Sequence, residues 1–74
     1  MAPPTCRTAL NNFLQNRGET AFLRWEEYHS GNRHDGVWTC IAYYREIEYG
    51  RGSGPSKDAA KEVASALVLA ALME

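Results

Sequence analysis

The chain has no apolar run near the ~20 residues a bilayer-spanning helix needs, so it predicts no transmembrane helix. Cysteine is scarce: Cys6 and Cys40 are the only two. That limits the chain to one disulfide, and the apolar neighbours of both thiols predict free, buried side chains packed as small hydrophobes. Neither sign of charge is in excess. Eight Lys and Arg against nine Asp and Glu leave a formal net charge of −1, which excludes a nucleic-acid binder working by bulk electrostatics and requires any anion binding to come from a local patch. The start, Met1-Ala2-Pro3-Pro4, has neither the basic nor the hydrophobic region of a secretory signal. The expectation is a reducing intracellular compartment, cytoplasm or nucleus. No nucleophile motif and no G-x-x-x-x-G-K-[ST] loop is present.

What is present fits one small domain, over 4–74, since 74 residues cannot fill two cores. Hydrophobic residues at 45% and charged residues at 23% are globular values. Cys6, Ala9, Leu10, Phe13 and Leu14 recur at helical spacing. With Thr5 as N-cap and Asn16-Arg17-Gly18 as stop, they predict a helix over about 5–16. Its polar face carries Arg7, Thr8, Asn11, Asn12 and Gln15. Ala21 to Tyr28 has the aromatic content of a strand, without an alternation clear enough to assign its faces. Ser30 to Gly36 reads as a loop. Val37 to Tyr44 is the strongest strand, Arg45-Glu46 a short connection, and Ile47-Glu48-Tyr49 opens a third strand ending at Gly50.

A glycine-rich turn, Gly52-Ser53-Gly54-Pro55, then runs into a long helix capped by Ser56. Ala60, Val63, Ala64, Leu67, Val68, Ala71 and Leu72 form its apolar face. The fold class is α+β: an α-β-β-β-α order, giving a three-stranded antiparallel sheet with two helices packed on one face. The expected core includes Leu10, Phe13, Leu14, Trp38, Cys40, Val63, Ala64 and Leu67.

Three segments carry binding chemistry. At the second helix start, open amides and the positive end of the helix dipole favour an anion, with Lys57 and Lys61 on one face. Asp58 between them interrupts the basic patch, although an acid in the first turn favours the dipole. Gly31, Asn32, Arg33 and His34 offer backbone, amide, guanidinium and imidazole donors to 2′-hydroxyls or phosphates. Thr8, Asn11, Asn12 and Gln15 suit a groove lined with 2′-hydroxyls and base edges. His29 and His34 with Glu26, Glu27 and Asp35 nearby do not impose a convergent ligand set. No metal, cofactor or catalytic role is expected.

In order, Leu10-Asn11-Asn12-Phe13, then Gly31-Asn32-Arg33-His34-Asp35-Gly36-Val37-Trp38, then Gly52-Ser53-Gly54-Pro55-Ser56-Lys57-Asp58-Ala59-Ala60-Lys61 resemble the double-stranded-RNA-binding domain family. That family's pattern has an L-x-E-like step in the first helix, G-P-x-H-x-x-x-F in the loop and G-x-G-x-S-K-K-x-A-K at the last helix, and the resemblance runs from about Pro4 to Leu72. It implies a non-catalytic module on A-form RNA, recognising shape rather than sequence. The first helix and the loop would meet successive minor grooves, and the lysines the phosphates between them. By that resemblance Asn12 stands at the position of an RNA-contacting glutamate, with Asn11 beside it. His34 stands at the loop histidine, and Lys57 and Lys61 at the first and third lysines, with Ser56 at the motif serine. Asp58 replaces the middle lysine and Asn32 the loop proline, which implies reduced affinity. The loop after strand one also reads as extended, through Trp25 to His29.

Some members of the family bind proteins instead, so a homodimer or partner complex is the alternative reading. Leu69, Ala70 and Met73 lie beyond the core stripe, and Tyr43, Tyr44 and Tyr49 are expected to put aromatic surface on the sheet.

Overall fold

The computed structural model describes residues 5–32 and 35–74. Helix α1 (Cys6–Arg17) begins where Thr5, in extended backbone, turns its hydroxyl to the Thr8 amide at 3.1 Å. This satisfies one donor that a first helical turn leaves open. The helix ends at Gly18, whose φ of 68° is left-handed, with the amides of Gly18 and Glu19 closing back on Gln15 and Leu14 in a Schellman arrangement. Leu10 and Leu14, one turn apart, are fully buried.

A 3-10 turn (Thr20–Phe22) leads to β1 (Leu23–Ser30), β2 (Val37–Tyr44), β3 (Ile47–Gly54) and α2 (Lys57–Leu72). The strands lie in sequence order, all antiparallel. The α-β-β-β-α order and the antiparallel sheet are those expected. On the central strand Ala42 and Tyr44 enter a core with Leu10, Leu14 and Val68, flanked by Phe13, Leu23, Trp25, Tyr49, Leu69 and Leu72.

β1 starts and ends two residues later than its composition suggested, because Ala21 and Phe22 belong to the 3-10 turn. Trp25 to His29 therefore lie inside a strand, each paired with β2, and do not lengthen the loop. β3 does not end at Gly50. It runs through Gly54, and Gly52-Ser53-Gly54 pairs with Cys40, Thr39 and Trp38. The glycines there are needed for close approach, not for a turn. A Cβ on Gly52 would lie 2.7 Å from the Ala64 nitrogen, and one on Gly50 2.9 Å from Val68 Cγ2, distances that real contacts do not allow.

Close approach also re-sorts the faces of α2. Ala60, Ala64, Ser65 and Val68 are its buried residues, small enough to let the helix backbone lie on β3. Val63 and Leu67, expected in the core, are displaced to the flank of β3 and remain 48% and 49% exposed. Leu69 packs against the core instead of standing outside it. Tyr44 is buried and Tyr43 and Tyr49 half-buried, so the exposed tyrosine of the sheet is Tyr28. Tyr49 is the extra residue of a bulge opposite Ala42 and Tyr43, with its ring 5.4 Å from that of Tyr44. Cys40 is a buried free thiol, as expected; Cys6 is free but only half-buried.

Arg45 and Glu46 form the β2–β3 turn with φ of 52° and 66°, the two-residue geometry that matches strand twist but favours Asn-Gly. Contacts from outside the turn hold these side-chain-bearing residues there. Arg45 reaches Glu19 at 3.0 Å and lies over the Phe22 ring, while Glu46 meets Arg24 at 3.1 Å. Glu19 is itself buried, accepting from the Tyr44 hydroxyl at 2.6 Å.

Candidate nucleic-acid interface

Strand register places three segments at one end of the sheet. Ser30 opposite Val37 and Trp38 opposite Gly54 put the β1–β2 loop and the start of α2 side by side. Helix α1 joins them through its first turn: the Cys6 and Arg7 amides donate to the Glu62 carboxylate of α2 at 2.6 and 3.3 Å, and Arg7 pairs with Asp58 at 2.8 Å. Glu62 thus supplies the negative charge that the first turn of α1 lacks in its own sequence. Those amides, the Cys6 bond foremost, hold the Glu62 carboxyl below the usual carboxylate range.

Thr8, Asn11, Asn12 and Gln15 are exposed on α1, at spacings that share one face. Thr8 and Asn11 line a groove between the helices with Arg7, Asp58, Ala59 and Glu62. The Thr8 hydroxyl also lies 3.0 Å from that of Thr5. Gly31 and Asn32 are exposed at the loop, Gly31 with a φ of 93°. Arg33 and His34 lie outside the described residues.

Ser56 caps α2 as predicted, its hydroxyl accepting from the Ala59 amide at 3.1 Å. Lys57 and Lys61 do share a face, but that face is already occupied. Glu27 on β1 lies opposite Cys40, which turns it toward α2. One of its oxygens is 2.8 Å from Lys61 Nζ and the other 3.9 Å from Lys57 Nζ. The ammonium groups also stand over indole rings, Lys57 4.9 Å from the Trp38 centroid and Lys61 5.4 Å from that of Trp25. The bond from Lys61 is the main reason the Glu27 carboxyl sits below its ordinary range.

Asp58 is not the isolated repulsive charge that the sequence suggested, since Arg7 neutralises it. The same holds generally: among the described residues each Lys and Arg side chain lies within 4.0 Å of a carboxylate. Sequence reasoning gave Arg7, Glu27 and Glu62 no role at this end: it read Arg7 only as part of the polar face of α1, weighed Glu27 only as a metal ligand and passed over Glu62. Only Glu27 left a signal, an acid at period-two spacing between Trp25 and His29. Among the described residues no cluster of three or more His, Cys, Asp or Glu could hold a metal ion.

Two helices clasped near their N-termini beside a hairpin loop, on a three-stranded antiparallel sheet, make an α-β-β-β-α module with amide, hydroxyl and ammonium groups at one end. A model of the family described as double-stranded RNA binding motif matches residues 6–72, and the chain belongs to that family. The family is one of non-catalytic binding domains, and double-stranded RNA is the partner its description names. No curated protein matches the chain.

Proposed function

We propose that this domain docks on A-form RNA with weak to moderate affinity, α1 entering a minor groove through Thr8, Asn11, Asn12 and Gln15, and Lys57 and Lys61 meeting phosphates across the adjoining major groove. Gly31, Asn32, Arg33 and His34 take the next minor groove. The observation that carries this reading is the clasp of Glu62 on the amides of Cys6 and Arg7, which fixes the polar face of α1 relative to the lysines. Reduced affinity is supported by the ion pairing, since at Lys57 and Lys61 a phosphate must first replace the Glu27 carboxylate. Two or three phosphate contacts correspond to a log–log salt slope of about −2 to −3.

Titration with duplex RNA and duplex DNA of equal length at low salt tests the reading. Retention of the RNA with a clear preference over DNA is expected. Failure to retain RNA at low salt overturns it.

A second reading, a homodimer or a complex with a protein partner, is favoured by one observation. Val63, Leu67 and Ile47 are 48%, 49% and 58% exposed, and β3 is an edge strand. Light scattering over a dilution series separates the two readings, because only association makes the mass depend on concentration.

A further inference from the structure

We propose that Glu27 determines the specificity of the duplex-binding end: its carboxylate occupies the place between Lys57 and Lys61 that a ligand phosphate takes, and only a ligand bringing further contacts displaces it. This rests on the duplex-RNA reading above.

The geometry is that of a bound anion. The two oxygens of Glu27 face different ammonium groups, at 2.8 and 3.9 Å, as two oxygens of one phosphate would. The indole rings of Trp38 and Trp25 lie by the same two ammonium groups, so the lysines remain poised when the carboxylate leaves. Nor is Glu27 part of the apolar core, so the fold does not depend on it alone. The core cluster is built from Leu10, Leu14, Ala42, Tyr44 and Val68, and the Glu27 side chain is 30% exposed.

Selectivity follows from exchange. A single phosphate reaching the lysines replaces one anion by another and gains little, because the internal carboxylate is already tethered beside them. A duplex brings phosphates to the lysines and, in the same event, hydroxyls and base edges to the Thr8 and Asn11 face. The lysines then bind phosphate only when α1 is also engaged. With Glu27 in place the three side chains present one net positive charge; without it they present two.

The test compares the parent chain with Glu27→Gln and with Glu46→Gln, which makes the same change in net charge at the β2–β3 turn, where Glu46 is 74% exposed. Duplex RNA is titrated over a salt series, and inorganic phosphate is titrated separately while the Lys57 and Lys61 amide resonances are followed. At low salt Glu27→Gln should bind duplex RNA roughly fivefold more tightly, the effect of one unit charge at contact distance in water. Its salt slope should steepen by about 0.9, and Glu46→Gln should match the parent. Phosphate should move the lysine amides of Glu27→Gln and leave those of the parent in place.

Equal RNA affinity in Glu27→Gln and parent, or an equal gain in Glu46→Gln, overturns the proposal. If Glu27→Gln melts below the assay temperature, Glu27→Asp, which withdraws the charge by one methylene, should gain in the same direction, and no gain counts against it. Failure of every variant to retain RNA overturns the duplex reading, and the phosphate titration then decides the role of Glu27 by itself.

Discussion

The amide of Cys6 donates to the carboxylate of Glu62 at 2.6 Å, so the first turn of α1 is capped by α2 as well as by its own Thr5. Glu62→Ala should therefore leave α2 intact and loosen α1. Faster hydrogen exchange at the Cys6 and Arg7 amides, and a melting midpoint lower by several degrees, are expected. Unchanged exchange would mean that the Thr5 cap alone holds the helix start.

Gly52→Ala should destabilise the domain by about 1–3 kcal/mol, the usual cost of forcing atoms into a filled core. The new methyl meets backbone of α2 near Ala64, which cannot swing aside as a flexible side chain could. Urea denaturation measures the loss. Gly18→Ala is a useful contrast, because space there is open and only the positive φ opposes the substitution.

Lys57→Ala should weaken binding to all duplexes about equally and reduce the salt slope by about 1. Lys61→Ala should do this and also lower thermal stability, because its side chain is 21% exposed, against 51% for Lys57, and makes the closer bond to Glu27. Paired melts and titrations distinguish the two. Lysines equal in both measurements would contradict the asymmetry.

Acid should unfold the domain through its paired carboxylates. Glu19 is held below its ordinary value of 4.5 by the Tyr44 hydroxyl and then Arg45, Glu26 chiefly by Arg24, Glu27 chiefly by Lys61, and Glu62 by the Cys6 amide. Each binds fewer protons folded than unfolded, so its contribution is complete above 4.5 and disappears as pH falls through the lowered folded values. Melting midpoints should be level from neutrality to about pH 5 and fall steadily below about pH 4. Glu19→Gln should flatten part of that fall.

Helix α1, strand β2 and both N-caps were legible because their signals are local: Leu10 and Leu14 at helical spacing, the apolar run Val37 to Tyr44, and Thr5 and Ser56 each three residues before the amide they receive. Gly52 and Gly54 were misread because a glycine inside a strand looks like a turn until the helix above it is known. Val63 and Leu67 were placed inside by their helical spacing with Ala60 and Ala64, whereas the close approach of α2 to β3 lets the small residues of that stripe face the sheet. The lysines of the candidate site were legible by type and spacing. Their pairing with Glu27, some thirty residues earlier, depends on strand register, which the period-two spacing of Trp25, Glu27 and His29 does not supply.

The stacking of α2 on Gly50 and Gly52 has a mechanical consequence. Backbone lies on backbone there, with no long side chain between to bend or change rotamer, so α2 and the sheet behave as one stiff lever. Helix α1 is joined to the rest differently, through the Glu62 clasp and the side chains of Leu10 and Leu14, so its seat depends on side-chain contacts where that of α2 depends on backbone.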